Sequence, residues 1–156
     1  MKKILILPEA IITSNYYILH SVKHFREYIK LYKSKKRRLI PPVPVIPAPL
    51  VTRKFNAILK EKFNKFKKKH QKAKYFLLDG SHRTTAAYIT NNKISAIVIE
   101  KRSDVSKAIK MWKSGKLKQW RLGDAMEKIV GDLVTHFNKK PRFHTVNEKA
   151  NKLRNI

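Results

Sequence analysis

Seven consecutive residues, Asp79-Gly80-Ser81-His82-Arg83-Thr84-Thr85, hold the densest set of chemistry-bearing side chains in the chain. The apolar run 75–78 precedes them, and Ala86-Ala87-Tyr88 follows. This reads as a buried strand, a tight Asp-Gly turn and a helix start. The first amides of a helix have no intrahelical acceptor, so such a turn suits a phosphate. Gly80 lets a ligand come close to the backbone. Arg83 offers a planar fork that matches phosphate oxygens. Ser81 and the hydroxyls of Thr84 and Thr85 add donors. His82 can donate a hydrogen bond or move a proton near neutral pH. Asp79 can hold a magnesium-bound water or orient His82. The competing reading uses the same residues as scaffold, with Asp79 and Ser81 capping the helix and Arg83 paired to Asp79.

The elements that must position this turn follow from apolar spacing. Residues 4–7 predict a short strand, and residues 8–15 a turn or loop. Residues 16–33 carry Ile18, Leu19, Val22, Phe25, Ile29 and Tyr32 at helical spacing. Residues 40–51 contain five prolines among apolar residues, which predicts an edge strand or a polyproline-like stretch. Residues 55–70 form a basic amphipathic helix. Strands are expected at 73–78 and 95–100, flanking a helix at 81–91. Further helices are expected at 103–113, 122–137 and 145–153, with Gly115 as a stop and Pro141 as a break. The fold class is α+β. Residues 1–102 form the main domain, with a basic insertion over about 53–72, and 103–156 form a helical extension. Trp112 and Trp120 are expected to pack that extension onto the sheet.

Charge bounds the partners. The 156 residues hold 37 Lys+Arg against 10 Asp+Glu, a formal net charge of +27. Such a chain attracts polyanions: nucleic acid first, DNA ahead of RNA, and an anionic membrane surface second. The best contact is the insertion with Lys60, Lys62, Lys65, Lys67, Lys68, Lys69, Lys72 and Lys74, with Arg37 and Arg38 of the run 33–38 joining the patch. Phe63 and Phe66 either pack on the core or stack on bases. The absence of cysteine excludes disulfides, thiolate catalysis and cysteine zinc sites. No apolar run has the length of a membrane span, and the N-terminal one stops at Pro8, so the cytoplasm is the expected location.

The run Leu78-Asp79-Gly80-Ser81-His82-Arg83, then Ala86-Ala87 and the apolar stretch 94–99, resembles the core of the ParB/sulfiredoxin superfamily. The resemblance spans roughly residues 4–100 and is strongest over 75–99. It implies a small mixed sheet with packed helices. It also implies a Gly-x-x-Arg turn that holds the phosphates of a nucleoside di- or triphosphate, with magnesium. Sulfiredoxins place their redox cysteine where this chain has Ser81. The partitioning proteins carry Gly-Glu-Arg-Arg at the turn and append a helix-turn-helix. The free serine kinases carry Asp-Gly-His-His-Arg, similar to Asp79, Gly80, His82 and Arg83, and use a glutamate from the first helical region as base. Glu9 and Glu27 are the acids available before the insertion.

The expected function is therefore nucleotide-phosphate binding combined with nucleic-acid binding. One alternative is a small-molecule kinase using Asp79, His82 and either Glu9 or Glu27. A second is a metal-dependent nuclease built on Asp79, Glu100 and Asp104. His20 and His24, four apart, are a weaker metal-binding candidate.

Overall fold

A computed structural model describes residues 1–153, so residues 154–156 of the expected extension lie outside the described chain. Among the described residues, six strands form one mixed sheet: β1 (Lys2–Ile6), β2 (Ile11–Thr13), β3 (Val43–Pro47), β4 (Tyr75–Leu77), β5 (Ile94–Val98) and β6 (His144–Thr145). Their spatial order is β1-β5-β3-β4-β2-β6. The β5/β3 and β4/β2 neighbours are parallel, and the other three pairs are antiparallel. Seven α-helices are described: α1 (Val22–Lys33), α2 (Ala48–Thr52), α3 (Ala57–Lys69), α4 (Ser81–Ile89), α5 (Arg102–Lys113), α6 (Met126–Lys139) and α7 (Val146–Asn151).

Successive strand residues point to opposite faces, and both faces are apolar. Ile11, Val45, Leu77, Ala96 and Val98 pack with Phe25, Tyr28 and Tyr32 of α1, Ala86 and Ala87 of α4, and Val146 and Ala150 of α7. Ile12, Ile46 and Phe76 pack the other way, against Leu59, Phe63 and Phe66 of α3 and Phe137 of α6. Ile97 joins Val105 and Ala108 of α5 there. The sheet is thus sandwiched between two helical layers. Phe63 and Phe66 are buried in an aromatic cluster with Phe55, Phe76, Phe137 and Phe143, so they do not serve as base-stacking platforms.

Three expectations change. The stretch 8–15, read as loop, contains β2. Three buried residues are too few to show a period, and their pairing with β4 and β6 fixes them as strand. The first helix begins at Val22, not residue 16. Ser21 caps it, accepting from the His24 N–H at 3.2 Å. The proline stretch becomes β3, an interior strand between β5 and β4, followed by α2. Pro44 is tolerated because β4 is already ending beside it. The Pro44 carbonyl still accepts from the Leu78 N–H (3.0 Å), so the missing N–H costs one bond at the margin of the ladder.

Residues 103–153 are built into the same core. Strand β6 joins the sheet beside β2, and Phe137, Phe143, Val146 and Ala150 are buried. Trp120 is buried as expected, whereas Trp112 is 42% exposed and does not anchor the helix to the sheet.

Candidate functional site

Strands β2 and β4 run parallel and end side by side, and a cavity of about 470 Å³ opens beyond their carboxyl ends. Ligands of α/β sheets bind in such crevices. Four segments wall it: the β2–α1 loop (Ser14, Tyr16, Tyr17, His20, Ser21), the first turns of α1 (His24, Tyr28), the β4–α4 turn (residues 77–83), and the α5–α6 loop (Lys118, Gln119, Arg121).

The α5–α6 loop reaches the cavity by a simple alternation. Leu117 and Trp120 are buried against Ile97, Ile99 and Ile129, and the Trp120 indole N–H donates to the Gly123 carbonyl at 2.6 Å. The residues between and after these anchors, Lys118, Gln119 and Arg121, face the cavity. Lys118 Nζ donates to the Tyr28 hydroxyl at 3.2 Å and lies 5.1 Å above its ring.

The β4–α4 turn is held from beneath. Gly80 caps α4 at φ +119°, and a Cβ there would sit 2.5 Å from Val43 Cγ1. Its glycine is demanded by strand β3, whether or not a ligand approaches. Arg83 is 3% exposed. Its Nη1 donates to the Pro41 (3.2 Å) and Pro42 (2.8 Å) carbonyls, and its Nη2 pairs with Asp79 Oδ2 (3.1 Å). Gln119 Nε2 donates to Asp79 Oδ1 at 3.0 Å. The guanidinium therefore faces prolines and Asp79, and the expected direct fork to a phosphate is replaced by a scaffold role. Thr84 and Thr85 are fully buried. The Tyr17 hydroxyl donates to the Ser81 carbonyl (3.0 Å) and lies 2.6 and 2.5 Å from the two threonine hydroxyls, which takes them out of ligand reach. Burial pushes the Tyr17 phenol up to about 12, against the opposing effect of the two threonine hydrogen bonds. Ser81 Oγ donates to the Ile18 carbonyl at 2.8 Å and pins the β2–α1 loop.

Three histidines gather here. His82 stands 6.2 Å from His20 and 6.5 Å from His24, ring centre to ring centre. His20 lies before α1, so the pair does not share a helix face, and His82 is the neighbour that sequence spacing did not supply. Among the described residues, no three His, Cys, Asp or Glu side chains are arranged to hold a metal ion. Magnesium on Asp79 is poorly served, because Arg83 and Gln119 already engage its two oxygens and no other acid among the described residues lines the cavity. The nuclease triad is not assembled either. Asp104 is buried and accepts from the Glu100 and Lys101 N–H groups, while Glu100 pairs with Lys2. Neither proposed catalytic base reaches the cavity: Glu9 pairs with Lys72, and Glu27 lies exposed on α1.

Two imidazoles act as acceptors for backbone. The Ser21 N–H donates to His82 Nε2 and the Asn15 N–H to His136 Nε2, both at 3.0 Å. A protonated Nε2 cannot accept. Burial first, then Lys118, lowers the His82 pKa, and burial then Lys140 lowers that of His136. His144 is lowered by burial and Lys149 against the pull of Glu148. Their folded values fall below the ordinary 6.5, so the unfolded chain binds more protons on acidification. Stability is full above pH 6.5 and is lost as pH falls through the lowered values. Thermal melts from about pH 7.5 to about pH 5 are expected to show a falling Tm; a flat or rising Tm overturns this.

The basic residues divide. Lys60, Lys62, Lys65, Lys68 and Lys69 are exposed on α3, and Lys74 is exposed after it. Lys67 donates to the Gln71 and Ala73 carbonyls, and Lys72 pairs with Glu9. Arg37 donates to Asn92 Oδ1 at 2.7 Å, and Arg38 is exposed. Helix α3 covers one face of the sheet, whereas α1 and the Arg37–Leu39 turn lie on the other. The two runs therefore do not merge into one patch. Sequence reasoning missed Lys118, Gln119 and Arg121, which carry no motif and reach the cavity only through the buried anchors beside them.

No protein family, curated protein or solved structure matches this chain. No described helix is long and apolar enough to cross a membrane.

Proposed function

We propose that the chain binds the phosphate groups of a nucleotide in the cavity beyond β2 and β4, and nucleic acid on its basic surface. The reading rests on one observation: among the described residues, the cavity combines Lys118, Arg121 and three histidines with a single acid, Asp79, which Arg83 already neutralises. The start of α4 adds unpartnered helical amides at the same place. An anion entering the cavity meets a positive field and an orienting set of donors. Arg83 contributes by fixing Asp79 and the turn. The kinase alternative lacks a free carboxylate at the cavity, and the nuclease alternative lacks a metal-ligand cluster among the described residues.

The test is a thermal-shift panel of nucleoside mono-, di- and triphosphates and inorganic phosphate, with and without magnesium. The Lys118→Ala/Arg121→Ala variant removes two exposed cations and leaves the fold intact. A phosphate-dependent rise in Tm is expected in the parent. Affinity in the variant should fall about tenfold or more, as expected for loss of charge-assisted bonds. Equal shifts in parent and variant, or none in the parent, overturn the reading.

A further inference from the structure

A second cavity, about 450 Å³, lies beside the first, lined by Lys139, Lys140, Arg142, Lys149 and Lys152 with Asn15. No acid lines it. The end of α6 accounts for Lys139 and Lys140, since cations favour a helix C-terminus. It does not account for Arg142, Lys149 and Lys152, which converge on the same hollow from the following segment and α7. The acid on α7, Glu148, turns its Oε1 to the Thr145 N–H (3.1 Å) and to His70 Nε2 (3.2 Å), and its Oε2 lies 3.9 Å from Nδ1 of His144, which also lines the cavity. Crowding is felt within the cluster: burial, then Lys152 and Arg142, lowers the Lys149 pKa. A bound anion relieves that repulsion.

The segment 14–16 contributes to both cavities. Ser14 and Tyr16 line the first, and Asn15 lines the second. Asn15 locks this wall to α6, its side-chain amide donating to the Lys140 carbonyl at 2.9 Å. Tyr16 is 63% exposed, with Lys140 Nζ 4.6 Å and the His136 ring centre 5.2 Å from its own ring centre. An exposed aromatic ring between two cationic hollows has the two parts that single-strand binding needs: charges that follow the phosphates and a face on which a base stacks. Paired bases keep their faces covered, so a duplex cannot use the ring.

We propose that the two cavities and Tyr16 between them form a track for single-stranded nucleic acid, with phosphates seated in the hollows and a base on Tyr16. This rests on the reading that the chain binds nucleic acid, and it moves the principal seat from α3 to the β2–α1 loop and α7.

The experiment is fluorescence anisotropy with a labelled oligothymidylate of about 12 nucleotides, titrated at several salt concentrations, with the duplex of equal length alongside. Tyr16→Ala is expected to bind about tenfold more weakly with an unchanged salt slope, and Tyr16→Phe to bind like the parent. Lys140→Ala/Arg142→Ala/Lys149→Ala is expected to bind at least about tenfold more weakly, with the slope of log K against log salt reduced by about two to three. The duplex is expected to bind more weakly than the single strand. Parent-like binding by both the Tyr16→Ala and the triple variant overturns the track, as does a duplex bound as tightly as the single strand. If only neutralising Lys60, Lys62, Lys65, Lys68 and Lys69 abolishes binding, the track falls and nucleic-acid binding stands. If the parent binds no oligonucleotide at low salt, both fall, while nucleotide binding in the first cavity is judged separately by the thermal shifts.

Discussion

Arg83→Met is expected to destabilise the fold by about 3 kcal/mol, toward the lower end of the cost of breaking a buried ion pair. Three acceptors depend on this guanidinium: the Pro41 and Pro42 carbonyls and Asp79 Oδ2. Methionine fills much of the volume but supplies no donor. Two carbonyls and a carboxylate are then left without their partner, and each such group carries a desolvation cost. The estimate is kept low because Asp79 is 29% exposed and water can reach it. Arg83→Lys should recover little, since one nitrogen on a shorter side chain cannot occupy both the Nη1 and Nη2 positions, which serve the prolines and Asp79 separately. Urea unfolding is the measurement. A midpoint falling strongly at constant m is expected. A loss below about 1 kcal/mol would return Arg83 to the role of a ligand contact rather than a scaffold.

The second large effect is expected at Gly80. Gly80→Ala places a Cβ at φ +119°, a backbone conformation that L side chains rarely adopt, and drives it to 2.5 Å from Val43 Cγ1. Val43 is buried, and its Cβ, which no change of rotamer moves, is itself only 3.2 Å from the added carbon. Backbone strain of about 1–3 kcal/mol adds to overpacking of similar size. The sum is about 2–6 kcal/mol. In the Gly80→Ala/Val43→Ala double variant the 2.5 Å contact with Cγ1 is removed, a 3.2 Å approach to the position-43 Cβ remains, and the backbone strain stays. Its loss should therefore be smaller than the sum of the two single losses. Additive losses in a double-variant cycle would show that the close approach carries no energy.

Both effects bear on how much of this molecule could be read from its sequence. The strand-turn-helix at 75–89 was legible because Gly80, the polar cluster and the alanines after it are local signals. The long helices were legible for the same reason: α3 and α6 repeat their apolar residues over several turns. Strand β2 was not, since Ile11-Ile12-Thr13 is too short to repeat anything. Strand β3 was misread because proline argues for an edge, whereas Pro44 sits where its neighbour ends. The use of Arg83 was also hidden. Sequence shows a guanidinium at a turn but not the Pro41 and Pro42 carbonyls, some 40 residues earlier, that claim it. The second wall of the cavity is tertiary throughout. Lys118 and Arg121 resemble any other surface cations of this Lys-rich chain until Leu117 and Trp120 anchor the loop.

Strand β6 has a consequence for synthesis. Ile12 and Thr13 find their outer neighbours, Thr145 and His144, about 130 residues later in the chain. Until that dipeptide leaves the ribosome, the nascent sheet carries an open flank of unpaired amides and carbonyls able to recruit another molecule's backbone. Two residues suffice to shut it, because a strand as short as β2 offers little more to cover. The polypeptide thus covers the outer edge of β2 only when translation has passed Thr145, and a ribosome stalled before that point holds an intermediate suited to association with its own kind.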